Sequence, residues 1–145
     1  MFLIKSIKAA SILLMITAAA APALAGNNRI WVEQWGSNNA VGGGQSGYGQ
    51  RLTVIQDGGS NVSINTQDGR RNRAAVGQSG YFNSVDTQQS GRFNAVGVAQ
   101  IGSNNDAVVT QTGRRNVAAV VQVGHGQSAT VHQGGSNNVV AIVQE

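Results

Sequence analysis

Amides and small apolar residues alternate along most of this chain. In "NVAAVVQ", every second residue is Asn116, Ala118, Val120 and Gln122. Side chains two apart on a strand share a face. The pattern therefore predicts a strand whose inner face reads Asn, small apolar, Val, Gln. The same frame returns every 11 residues without a slip, at Gln34, Gln45, Gln56, Gln67, Gln78, Gln89, Gln100, Gln111, Gln122, Gln133 and Gln144. Two residues after each of the first ten stands a glycine: Gly36, Gly47, Gly58, Gly69, Gly80, Gly91, Gly102, Gly113, Gly124 and Gly135. The Asn column is Asn28, Asn39, Asn61, Asn72, Asn83, Asn94, Asn105, Asn116 and Asn138, with Gln50 and Gln127 as amide substitutes.

Eleven strands follow, from Asn28–Gln34 to Asn138–Gln144, each of about seven residues and joined by four-residue turns such as "TGRR" and "SGYF". A helical reading of the 11-residue period, as a right-handed coiled coil, fails. One Gly per unit costs about 1 kcal/mol in a helix, and Val, Asn and Thr are weak helix formers. Charge identifies the inside. Between Gln34 and Gln144 the arginines and aspartates fall in turns or on the opposite parity, never on the Asn–apolar–Val–Gln face or at the repeated Gly.

Strands this short bury a face only by stacking. The expected fold is all-β: a flattened β-solenoid with two facing strands per 22-residue coil and parallel, in-register stacking of the cross-β kind. About five and a half coils at ~4.7–4.9 Å per strand make a stack roughly 26 Å tall. Gln111 then lies between Gln89 and Gln133, and Asn116 between Asn94 and Asn138. An unpaired buried amide costs about 1–3 kcal/mol. Stacked amides instead bond from rung to rung and fix register. The repeated Gly supplies a turn conformation closed to other residues. Rungs at the ends of the stack expose unpaired backbone and amides with little charge and no proline to blunt them. That predicts end-to-end polymerisation into a fibre.

The first 25 residues differ. Lys5 and Lys8 precede an apolar run from about Ala9 to Ala21, and Ala23–Ala25 reads "ALA". This is the pattern of a secretory signal peptide; an uncleaved anchor is the other reading, disfavoured by the short run. The expected division is 1–25 signal peptide and 26–145 repeat domain. The exported part holds 8 Arg against 6 acidic residues, net +2, with no Lys, Pro or Cys, so its stability does not come from disulfides. No later segment is expected to span a membrane as a helix.

The motif Gln-x-Gly-x-x-Asn-x-(small apolar)-x-x-x-Gln, seen as "QTGRRNVAAVVQ" and "QSGRFNAVGVAQ", resembles the curlin repeat over about 110 residues. Curlins are subunits of curli, the functional amyloid fibres of bacterial biofilms. The resemblance implies a secreted or cell-surface fibre subunit, export through the outer-membrane curli channel with its accessory factors, and co-assembly with another curlin subunit. It also implies roles in adhesion and biofilm matrix. Only Gly26 and Asn27 separate the expected cleavage site from the first strand, so the long targeting segment usual in major curlins is missing. The arginine content and strict spacing look more like the minor, nucleating curlin; both roles stay open.

Arg70, Arg71, Arg92, Arg114 and Arg115 lie in one set of alternate turns, and Arg51 and Arg73 just follow turns of that set. Stacking brings them onto one basic edge. It serves either as a gatekeeper that slows aggregation before export or as a binding site for anionic polysaccharide or extracellular DNA. His125 and His132 read as a turn and an outward strand residue, not as metal ligands. Tyr48, Tyr81, Phe82 and Phe93 sit in turns. Neither a nucleophile–base–acid set nor a cofactor motif is present, so no enzyme is expected and no cofactor. The alternative is a monomeric secreted β-solenoid that binds glycan or ice, but Thr53, Thr66, Thr110 and Thr130 form no single outward column.

Overall fold

The computed structural model describes residues 7–8, 13–16 and 26–145 of the 145. Two short strands, β1 (Ile7–Lys8) and β2 (Leu13–Ile16), precede the repeats. Eleven repeat strands follow: β3 (Arg29–Ser37), β4 (Ala40–Tyr48), β5 (Arg51–Gly59), β6 (Val62–Arg70), β7 (Arg73–Tyr81), β8 (Ser84–Arg92), β9 (Ala95–Ser103), β10 (Asp106–Arg114), β11 (Val117–His125), β12 (Ser128–Ser136) and β13 (Val139–Gln144). Most of the expected signal peptide, including its cleavage site, lies outside the described residues. Its described strands pair with β3 and β4. No helix among the described residues is long and apolar enough to cross a membrane.

The strands alternate between two parallel sheets. One runs β1-β3-β5-β7-β9-β11-β13 and the other β12-β10-β8-β6-β4-β2. Each repeat strand pairs with the strand two further on, in a 22-residue register: Gln78 opposite Gln100, Gly80 opposite Gly102, Arg92 opposite Arg114. The chain is thus a β-solenoid of about five coils.

Between the sheets lies a thin core. Small residues (Ala74, Ala107, Ala118, Ala129) alternate with valines (Val76, Val109, Val120, Val131), all at least 96% buried. Where β6 and β8 put polar residues inside, they satisfy one another. Asn65 Nδ2 donates to Ser63 Oγ at 2.8 Å, and Thr87 Oγ1 donates to Asn65 Oδ1 at 2.7 Å.

The strand boundaries correct the sequence expectation. Full strands have nine residues, not seven, and two-residue connections replace four-residue turns. The reason is the repeated glycine. It holds φ between +94° and +123° and bends the chain while the ladder continues. A Cβ on Gly102 would stand 1.9 Å from the carbonyl oxygen of Gly124 in the next coil. Both the backbone sign and the close approach therefore demand glycine. Backbone bonds also stack the corners, as from Phe82 N to Gly59 O at 3.0 Å and from Arg115 N to Arg92 O at 3.1 Å.

A second bend went unread in the sequence. Four residues after each of the first ten Gln the chain again takes positive φ, at Asn38, Ser60, Arg71, Phe82, Phe93, Asn104, Arg115 and Asn137, and at Gly49 and Gly126. Left-handed backbone costs an ordinary L-residue roughly 1–2 kcal/mol. The stacked corner imposes it even on arginine and phenylalanine.

Candidate functional site: amide columns and a basic edge

The glutamines form two continuous columns, one per sheet. In the odd-strand sheet Gln34, Gln56, Gln78 and Gln100 each donate through Nε2 to Oε1 of the Gln 22 residues on, and Gln122 donates to Gln144, all at 2.6–2.9 Å. In the other sheet the relay Gln45, Gln67, Gln89, Gln111, Gln133 spans 2.5–3.0 Å. The second Nε2 hydrogen crosses to the opposite sheet. Gln111 donates to Ala95 O at 3.1 Å and Gln122 to Asp106 O at 3.0 Å. Each interior amide is thus held by three partners while almost fully buried, which removes the usual penalty for burying it. Gln45, Gln133 and Gln144 lie nearer the ends of the stack, and Gln45 and Gln144 are only half-buried.

The asparagines work differently. Asn116 Oδ1 accepts the backbone N–H of Asn138 at 3.1 Å, and its Nδ2 donates to Thr112 O and Gly135 O at 3.1 and 3.2 Å. The pattern recurs at Asn61, whose Oδ1 accepts from Asn83 N and whose Nδ2 reaches Gly80 O at 2.9 Å. Asn39, Asn72, Asn83, Asn94 and Asn105 repeat it. Asn28 Oδ1 likewise accepts from Gln50 N. Most asparagine bonds therefore run from side chain to corner backbone. Among the described residues of this column, direct amide-to-amide bonds run from Asn83 to Asn61 and from Asn138 to Asn116. The column ties the corners of successive coils together.

Gln50 shows what the slot requires. Its Nε2 reaches Ser46 O and Gly69 O. Its Oε1 is buried with no partner, one methylene too far out to take the N–H of Asn72. Gln127 Oε1 and Gln45 Oε1 are likewise buried without partners.

The arginines gather on the corners that lead from the even-strand sheet to the odd-strand sheet. Arg70, Arg92 and Arg114 stand in register, exposed, with strand spacing between them. Arg51 and Arg73 form a second column beside them, extended by Arg29 at its N-terminal end. Arg29 stands in register with Arg51 and so adds to the basic edge expected from the sequence. Arg115 is at a corner, and Arg71 lies 5.6 Å from the Phe93 ring centroid, a cation–π contact. On the other corners Ser103 Oγ lies 2.7 Å from His125 Nδ1, while His132 is exposed on β12. Tyr81 and Phe82 are more than half exposed.

Parallel in-register coils held by internal amide columns define a cross-β repeat protein. Residues 83–113, from the corner before β8 into β10, match the family described as the curlin associated repeat. The frame of that window runs unbroken from Asn28 to Gln144, so the similarity to the curlin repeat extends, as a pattern, beyond the matched residues. No curated protein and no solved structure matches it.

Proposed function

We propose that this chain is an exported, self-assembling subunit of extracellular curli-type fibres, acting in adhesion and biofilm matrix. The observation that carries the reading is the polarity of the glutamine columns. Every recorded bond runs from a Gln Nε2 to the Gln 22 residues later. One end of the stack therefore offers amide acceptors and the other amide donors, so two copies fit end to end. The leader acts as a signal peptide, and export uses the curli channel and its accessory factors.

The chain, diluted from denaturant, forms thioflavin-positive fibres with reflections near ~4.8 Å and ~10 Å. A chain that stays monomeric and thioflavin-negative for days refutes the reading. Deleting the gene separates the two subunit roles: a main subunit takes all fibres with it, a nucleator only their attachment to the cell.

The two arginine columns support contact with anionic matrix. Arg70, Arg92 and Arg114 repeat at strand spacing of ~4.8 Å, close enough to act together on a polyanion. Fibres then hold acidic polysaccharide or DNA with an affinity that falls steeply with salt. Salt-independent retention leaves gatekeeping as the role of this edge.

A further inference from the structure

The outer faces of the two sheets differ sharply over the last coils. On β9, β11 and β13, up to the repeated glycine, the outward residues carry no charge and no hydrogen-bonding side chain; Ser103 and His125 lie beyond it. The column Ala95, Val117, Val139 stands beside Gly97, Ala119, Ala141. Next come Ala99, Val121, Val143, and then Ile101 with Val123. Ile101, Val139 and Val143 are more than half exposed. On the same rungs of the other sheet, outward positions hold Asp86, Asp106, Gln88, Thr110, Thr130 and His132. Solvent-facing strand positions tolerate any polar residue, so their exclusion from four adjacent columns of one face and not from its opposite marks a surface that is covered.

We propose that a second copy of this chain covers it, sheet against sheet, about a two-fold axis parallel to the stack. This rests on the fibre reading above and adds lateral pairing to it. Such an axis reverses the strand direction across the interface. Val117 then faces Val123 of the partner subunit, and Ala119 faces Val121 of the partner subunit. Gly97 faces Ala99 of the partner subunit. Towards the N-terminal end the same operation sets Arg51 against Asp57 of the partner subunit, twice by symmetry.

The other two-fold that could pair this face, parallel to the strands, sets Arg51 against Val117 of the partner subunit and Arg73 against Ala95 of the partner subunit. That leaves guanidinium groups desolvated against aliphatic surface. It also opposes the growth directions of the two stacks. The axis along the stack keeps the growth directions together and gives Arg51 a counter-charge, although it sets Arg73 against Ser79 of the partner subunit and Arg29 against Trp35 of the partner subunit; each added subunit renews the contact. Six strands at ~4.8 Å, with about seven residues each at ~3.3 Å, give about 650 Å² per copy and about 1,300 Å² for the pair. Specific interfaces begin near ~1,200 Å². One pair is thus marginal, and repetition along a fibre strengthens it.

The test is mass per length of fibres grown from the full chain, measured by scanning transmission electron microscopy. Ala119→Lys keeps thioflavin-positive growth and halves the mass per length. Val108→Lys, on the equivalent outward position of β10, leaves it unchanged. Asp57→Arg lowers pairing, and adding Arg51→Asp restores it. Wild-type fibres already one subunit wide overturn the proposal. So does equal halving by both lysine variants, and so does unchanged mass in A119K accompanied by loss of adsorption to an apolar surface. If the wild type makes no fibre, the fibre reading fails. Pairing is then read by sedimentation of the soluble chain, where a dimer split by A119K supports it and a monomer overturns it.

Discussion

Replacing Gln111 by Ala removes one link from a column and strands groups on both sides. Gln89 Nε2 loses its acceptor at 3.0 Å, Gln133 Oε1 its donor at 2.6 Å, and Ala95 O its cross-sheet donor at 3.1 Å. Each orphaned buried group costs about 1–3 kcal/mol. Partial repacking and water entry into the space left behind bring the total to about 3–6 kcal/mol, a large share of the stability of an ordinary domain. The concentration of soluble chain remaining when fibre growth stops reports this directly, because a tenfold rise corresponds to about 1.4 kcal/mol. Gln111→Ala raises it at least a hundredfold. Arg114→Ala, on an exposed corner of the same strand, stays within about threefold of wild type, as surface substitutions do. Residual concentrations for the two variants within threefold of each other would refute the buried relay as the source of register and stability.

Gly102→Ala puts a methyl 1.9 Å from Gly124 O at φ +121°, and the same assay shows a loss at least as large as for Gln111→Ala. Gly134→Ala, where an added Cβ meets nothing within 4 Å, changes little. Gln50→Asn returns the standard residue to its slot, so that its Oδ1 takes the N–H of Asn72. It stabilises by about 1 kcal/mol, the net worth of one hydrogen bond, and soluble chain falls about fivefold. Asp86, in register between Ile64 and Val108, has its carboxyl held above the usual range, first by desolvation and then by the charge of Asp106. A raised pKa in the folded state means this carboxyl favours folding when protonated. Its contribution is complete at acidic pH and is lost as pH rises through the raised pKa. Fibres therefore dissociate in guanidinium more readily at neutral than at acidic pH, and Asp86→Asn removes that part of the dependence.

Most of the fold was legible because steric and electrostatic exclusions leave a periodic mark. Arginine and aspartate avoid the inner face in every repeat, and glycine is compulsory where a Cβ would strike the next coil. What stayed hidden is whatever the backbone decides without choosing a residue type. The second left-handed corner accepts Arg71, Phe82 and Arg115 because stacking enforces it, and the one trace in sequence is that half of its ten positions are Asn or Gly. The asparagines read as a twin of the glutamine column. Yet an Asn side chain is one methylene shorter, so Asn116 reaches Thr112 O and Gly135 O and ties corners, while Gln111 spans the core. The two outer faces were hidden for a different reason. An 11-residue frame superposes odd and even strands, so Val121 and Thr110 occupy one column of the repeat. Only when stacking separates the strands at 22 residues does one face lose every charge over its last coils while the other keeps Asp86 and Asp106. An inner face that must be the same on both sides stabilises each coil. The outer faces are free to diverge, and that freedom is where one subunit of this architecture acquires a surface its two-fold repeat does not dictate.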